Sequence, residues 1–304
     1  MRECNERAVS RKSYVAKARA ESPTHNRDTE RVLVAGPNAV EAVLDAISRR
    51  GRNQGGAGAT SLADADRLPN VASVYRVYLE ETAGGRSQRL AARAHEVKVP
   101  VSMTGKGECD KMAGARCQGV AAEIAYAYAD LDDILARPGL VVFLDSIADP
   151  HNLGAVLRTA EAAGASAAVI PERRAAQVNA TVMRVSAGAA VFLPVARVTN
   201  LGRSLQRAKE AGFWILGLDA EGTAVVPRAG DDPRTGDRIG LVIGAEGEGM
   251  HRLVAEHCDE LARLPMRGRV ESLNASVAAG LAIYRLLDGD LFGKDTPAPR
   301  RSDR

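Results

Sequence analysis

Along the carboxyl-terminal half of the chain, short unbroken apolar runs alternate with stretches in which apolar residues recur every three or four positions. Unbroken runs mark strands buried on both faces, and the three-to-four spacing marks amphipathic helices. The runs fall at Val141–Leu144, Ala167–Ile170, Phe192–Val195, Trp214–Leu218, Ile239–Ile243 and Glu260–Leu264. Helices are predicted near Leu153–Ala163, Ala180–Ala187, Leu201–Ala211 and Met250–Glu256, with a last one near Leu273–Leu287. The alternation predicts an α/β domain whose parallel sheet carries helices on both faces.

The amino-terminal half repeats the alternation on a smaller scale. "RVLV" leads through Gly36-Pro37-Asn38 into a helix whose face is Ala39, Val40, Val43, Leu44 and Ile47. After a Gly- and Ala-rich insertion at Asn53–Pro69 come "VYRVYLEE" as a strand, "SQRLAARAHEV" as a helix, and "VPVSM" and "QGVAAEIAY" as strands. Charge and a Pro-Gly pair interrupt the pattern at Asp130–Gly139, where a boundary is expected. The predicted organisation is a flexible arm over 1–30, a small α/β domain over 31–126, a linker over 127–138, the larger domain over 139–293 and a flexible tail over 294–304.

Composition narrows the function classes. With 45% hydrophobic and 26% charged residues in 304, and no apolar run of membrane-spanning length, the chain has the make-up of a cytoplasmic globular protein. Four cysteines form no CxxC pair and stand at no zinc-ligand spacing, so no metal is expected. The net charge of +3 is small, but basic residues gather in both tails, among them Arg11, Lys12, Lys17, Arg300 and Arg301, which weakly favours contact with RNA.

Ligand-binding loops of an open parallel sheet leave the carboxyl ends of its strands. Three such places carry unusual residues: "DPHNLGAVLRTAEAAGA" with Asn152 and Arg158, "VIGAEGEGM" with Gly244 and Glu246, and "LPMRGRVESLNASVAAG" with Leu264, Leu273, Asn274 and Ser276. Taken one at a time, each has a purely structural reading. Asn152 and either Ser272 or Asn274 could cap helices, Arg158 could pair with Glu161 one turn on, and the glycines could simply turn the chain. A dinucleotide site is disfavoured, because Gly-x-Gly-x-x-Gly does not follow the first strand and a glutamate inside the "GAEGEG" turn would repel a pyrophosphate.

Together and in this order, the three stretches resemble the motifs of the SpoU (TrmH-like) ribose 2′-O-methyltransferases of the SPOUT superfamily, from about Val141 to Leu287. "RRAAQVNATVMRVSAGAA" and "EHCDEL" bring the likeness nearest to bacterial 23S rRNA guanosine 2′-O-methyltransferases, and "GPNAVEAVL" and "QGVAAEI" resemble the family's small L30e-like substrate-binding domain. The resemblance implies a SPOUT domain with a trefoil knot, a homodimer, S-adenosylmethionine as cofactor and RNA, most of all 23S rRNA, as substrate. Gly244, Leu264 and Leu273, with Gly217 and Leu218 on a neighbouring strand end, match cofactor-contacting positions. Arg158 matches the residue assigned to activating the ribose hydroxyl, either as a base or by binding the adjacent phosphate and stabilising alkoxide charge. Asn152 would orient ribose or arginine, Glu246 would hold the turn or Arg158, and Asn274 with Ser276 would shape the pocket. Two other readings stand beside it: a tRNA substrate, and a non-catalytic RNA-binding protein of ribosome assembly.

Overall fold

In a computed structural model, residues 29–53, 70–81, 84–228, 236–245, 247, 249–270 and 272–287 are described, and the following account concerns these. The arm before Thr29, most of the Asn53–Pro69 insertion, Glu246 and the tail lie outside them. The chain forms two sheets. The first is built from β1 (Thr29–Ala35), β2 (Val71–Glu80), β3 (Val101–Thr104) and β4 (Val120–Ala127) in the order β1-β4-β2-β3. Only β2 and β3 run parallel. Helices α1 (Pro37–Asn53) and α2 (Gly85–Glu96) cover one face over Val32, Val34, Val77, Leu79 and Ile124. On the other face, α3 (Glu108–Ala113) covers only the end near Ala35 and Ala121, through Cys109.

The second sheet has seven strands, all parallel: β5 (Gly139–Leu144), β6 (Ala167–Pro171), β7 (Val195–Val198), β8 (Trp214–Leu218), β9 (Ala224–Val225), β10 (Arg238–Ile243) and β11 (Glu260–Arg263). Their order is β7-β6-β5-β10-β8-β11-β9. Successive side chains of a strand point to opposite faces, and here each set meets its own layer of helices. Leu140, Val142 and Leu144 of β5 join a core beneath α5 (Pro150–Ala163) and α10 (Ala275–Leu287), which holds Leu153, Leu157, Ala279 and Ile283. Val141 and Phe143 join a second core with α8 (Leu201–Glu210) and α4 (Leu131–Leu135).

One sequence expectation is corrected and one unforeseen element is added. The run Phe192–Val195 is not a strand: α7 (Ala189–Phe192) ends there, and Pro194, which cannot donate to a ladder, separates it from β7. The charged segment before Gly139 holds a short helix, α4, capped by Asp130 and buried through Leu131, Ile134 and Leu135. Its acidic residues sit in the first turn, where they favour the helix macrodipole.

The two sheets are docked through polar groups as well as apolar ones. Asn70, 3% exposed, donates from Nδ2 to the carbonyls of Ala190 (2.9 Å) and Leu193, and from its backbone to Val191 (2.9 Å). The Tyr126 hydroxyl donates to Ala190 O at 3.1 Å, and the Tyr128 hydroxyl accepts the Val178 amide at 3.2 Å. Arg197 of β7 stacks over the Tyr128 ring at 4.4 Å and pairs with Glu30 of β1. Burial of the Tyr128 phenol pushes its pKa up to about 12, so it is a neutral donor and acceptor in this seam.

Candidate active site

The strand order has a switch point. From β5 the chain steps outward to β6 and β7, then crosses to β8 and later returns to insert β10 between β5 and β8. Crevices open at the carboxyl ends of strands at such a point. Leu144 pairs with Ile243, Ile243 with Leu218, and Leu218 with Ala262, so the segments beginning at Asp145, Gly244, Asp219 and Leu264 leave the sheet side by side.

The first segment enters α5 through Asp149, whose carboxylate accepts the His151 amide at 2.9 Å, with Pro150 at the first helical position. Asp149, not Asn152, is therefore the cap. Asn152 is freed for a longer reach: its Oδ1 accepts a hydrogen bond from Asn274 Nδ2 at 3.1 Å, across 122 positions of sequence. Asn274 caps α10, its own Oδ1 accepting from the amides of Ser276 (2.9 Å) and Val277 (3.3 Å) and from Ser276 Oγ (2.6 Å). One amide side chain thus fixes the start of α10 and ties it to the start of α5.

The second segment doubles back on itself. Ala245 and Gly249 exchange two backbone hydrogen bonds of 3.0 Å, with Gly247 and Gly249 at φ of 77° and 67°. A methyl group on Gly244 would collide with the Gly249 carbonyl group and the Met250 amide, so the turn closes only with glycine there. Gly217 is held to glycine by a different crowd: a methyl group would lie 2.6 Å from Leu261 Cδ2, 2.8 Å from Met250 Cε and 2.9 Å from Cys258 Sγ. Burial, then the nearby Asp259, pushes the Cys258 thiol up to about 12, which leaves it protonated and inert.

Asp145 was not among the residues singled out from sequence. It is 3% exposed, and its carboxylate accepts the His251 amide (2.7 Å), His251 Nδ1 (3.0 Å) and Ser146 Oγ (3.2 Å). It clamps the exit of the glycine turn to the end of β5. The signal was present, since a charged residue closing an otherwise apolar run needs partners to be buried.

The structure therefore joins Asn152, Asn274 and Ser276 directly. Gly217, Leu218, Gly244 and the half-buried Leu264 stand at neighbouring strand ends, while Leu273 is exposed just before α10. Arg158 lies six residues beyond Asn152, roughly 9 Å along the axis of α5, exposed to solvent. It has no ion pair with Glu161 or with any other described residue. Glu246 falls outside the described residues. Chemically, the arrangement offers an apolar, backbone-rich rim beside hydrogen-bonding amides and hydroxyls, with an exposed guanidinium nearby.

Comparison with known proteins gives the chain a family. A model of the SpoU rRNA Methylase family matches residues 139–284. YacO, a TrmH-family protein of Bacillus subtilis, is 42% identical over 232 residues, 73% of this chain and 90% of its own. The 23S rRNA (guanosine-2′-O-)-methyltransferase RlmB of Pseudomonas aeruginosa is 42% identical over 209 residues, 66% of this chain and 83% of its own. Among solved structures, the SpoU methyltransferase AviRb of Streptomyces viridochromogenes in complex with AdoMet has the same fold, with a TM-score of 0.64 at 22% identity over 84% of this chain and 89% of that one.

Proposed function

This chain belongs to the SpoU rRNA methylase family, and from that premise we propose that it methylates the ribose 2′-hydroxyl of a guanosine in 23S rRNA. It is an RNA 2′-O-methyltransferase that uses S-adenosylmethionine. The 23S guanosine rests on the relatives named RlmB; YacO, whose name covers both tRNA and rRNA, keeps tRNA as the second reading. The observation that carries the site is the Asn274–Asn152 hydrogen bond at 3.1 Å, which brings the first and third motifs into one place.

The residues present suit the cofactor. An adenine ring prefers an apolar slot with a few backbone hydrogen bonds, and Leu218 and Leu264, at the strand ends near the turn at Gly244, offer both, with Leu273 assigned to close the slot from the start of α10. Gly217 contributes by letting Met250 and Leu261 close behind that slot. When bound, the cofactor supplies an electrophilic methyl group on sulfur. The work of this chain is to hold the ribose in line and relieve charge on its oxygen. Arg158 binds the phosphate next to the target ribose and stabilises developing alkoxide charge, since a guanidinium stays protonated at neutral pH. Asn152 and Ser276 fix the ribose, with Asn274 holding them together. Glu246 steadies the turn.

The same reading makes residues 31–126 an L30e-like substrate-binding domain and residues 139–293 a knotted SPOUT domain. The strand order β5-β10-β8-β11 and the return of α10 to α5 support the knot. Val277 and Leu281, exposed at four-residue spacing on α10, support a homodimer across that stripe. Mapping ribose methylation in 23S rRNA and tRNA from cells lacking the protein tests the function. Loss of one 23S 2′-O-methylguanosine is expected; loss of a tRNA site alone moves the assignment to tRNA, and no loss in either rejects it.

A further inference from the structure

The partly open face of the first sheet carries groups that the methyl-transfer site does not use. Its floor is set by strand parity, with Arg31 and Leu33 from β1, Glu123 from β4, Arg76 and Tyr78 from β2 and Ser102 from β3 all on one side. Two register breaks in β2, between Val71 and Ser73 and between Val74 and Arg76, place extra residues in the strand. A β-bulge re-aims a side chain, and the second one carries Tyr75 onto the same face, where the Arg31 guanidinium lies 4.3 Å from its ring centre. Arg31 also pairs with Glu123 Oε1 at 3.0 Å, while Tyr78 donates to Glu123 Oε2 at 3.3 Å. Beside this pair is a concavity of about 320 Å³, walled by Tyr78 and Leu33 and by Met112, which is 45% exposed.

We propose that this concavity takes an unpaired guanine base of the RNA substrate, read by Glu123 and Arg31 and flanked by Tyr75 and Tyr78. Proteins read RNA sequence at unstacked bases, by stacking and by hydrogen bonds to base edges. Guanine presents two adjacent N–H donors beside the O6 acceptor. A carboxylate and a guanidinium side by side present the complementary order, acceptor next to donor. Adenine lacks the adjacent pair of donors. Glu80, the other carboxylate of this face, is buried and accepts the Gly107 amide at 2.9 Å, which leaves Arg31 and Arg76 against Glu123 on its open part and suits a polyanion.

One helix touches both this face and the helix that carries Arg158. Ala180, at the start of α6 (Ala180–Val185), packs on the cluster of Ala35, Cys109, Cys117 and Ala121 at the edge of this face. Val185, at the other end of α6, lies beside Gly154 of α5, one turn before Arg158. Arg184 of α6 is exposed on this path. A strand of RNA with one base in the concavity can therefore run over α6 to Arg158.

The inference rests on the chain being an RNA methyltransferase, and the test separates the two. Fluorescein-labelled RNAs UUUUGUUUU, UUUUIUUUU (I, inosine) and UUUUAUUUU are titrated by anisotropy against the full-length wild type, Glu123→Gln and Tyr75→Leu. S-adenosylmethionine binding is measured on the same samples by calorimetry. The wild type should prefer the guanine RNA to the adenine RNA by about tenfold, with inosine, which lacks the 2-amino donors, between them. Glu123→Gln should erase the preference, and Tyr75→Leu should weaken all three by roughly tenfold, with cofactor affinity unchanged. Equal wild-type binding of the three RNAs, or a preference that survives Glu123→Gln, overturns the site, and the wild-type comparison decides even where a variant fails to fold. A wild type that binds no S-adenosylmethionine and methylates no RNA removes the function instead, leaving the base preference to be judged separately.

Discussion

In the second sheet every strand pair is parallel and both faces are buried, so polar chemistry has nowhere to go but the strand ends. The first sheet is antiparallel except between β2 and β3, and one face is covered only at its α3 end. There the polar and aromatic groups sit on the face itself. The difference follows from connectivity: parallel neighbours need crossover segments that coat both faces, whereas antiparallel neighbours can leave a face bare. Convergence of strand ends suits a reaction, which needs groups fixed from several directions, and a twisted open face suits a longer ligand laid across it.

The comparison is tested most severely at Arg158, which is exposed on the helix that leaves the strand-end site and has no ion pair with a described residue. Arg158→Ala should reduce methyl transfer to RNA by at least ~100-fold, with the melting temperature and S-adenosylmethionine affinity unchanged. Turnover measured with labelled methyl donor decides it; near-normal turnover would remove the guanidinium from the reaction.

Next comes the seam that makes the two regions one body. Asn70→Ala removes one donor from each of two carbonyls, Leu193 O and Ala190 O, the second of which keeps the Tyr126 hydroxyl, and should cost about 1–3 kcal/mol in denaturant unfolding. Because these carbonyls belong to the second unit and Asn70 to the first, the loss should weaken rRNA binding more than cofactor binding. A variant as stable as the wild type would mean that the seam is carried by its apolar contacts alone.

Much of this division was legible in the chain. Five of the six runs of the second half located five of its seven strands closely, because fully buried strands leave unbroken apolar sequence; Phe192–Val195 meets β7 only at Val195, and the two-residue β9 leaves too little to see. The three motifs were legible because Asn, Arg, Glu and Gly at strand ends have few purely structural reasons to recur together. What stayed hidden is what depends on distant neighbours. Nothing local distinguishes Asn152, which bridges to α10, from Asp149, which caps α5. Asp145 gave a signal only in its position after "LVVFL", and its partner His251 lies 106 residues away. Tyr75 reads as a strand residue of the opposite parity until the bulge is seen.

Asp145 yields a smaller effect at the strand-end site. Asp145→Ala removes the acceptor for the His251 amide and ring, groups that solvent reaches in part, and should cost about 1–2 kcal/mol of stability. Since the lost clamp holds the exit of the glycine turn, S-adenosylmethionine binding should weaken severalfold while binding of the short guanine RNA to the first sheet stays the same. Loss of both together would show that the two regions are not independent in their ligands.

The smallest effect lies in the seam and appears only in alkali. The Tyr128 hydroxyl accepts the Val178 amide at 3.2 Å while its ring lies beneath Arg197, and burial lifts its pKa to about 12 from an ordinary value of roughly 10. A phenol whose pKa is raised on folding contributes stability that is whole below the unfolded value and is lost as pH climbs through the folded one. By pH 11 the loss should be about 1 kcal/mol, and it should be missing from Tyr128→Phe, which has no proton to give up. Urea midpoints of both proteins at pH 8 and in steps above pH 10 supply the contrast: wild type should fall toward the variant as pH rises. Parallel curves would mean that Tyr128 ionises as freely folded as unfolded, and that the join between the two sheets is wetter than its packing implies.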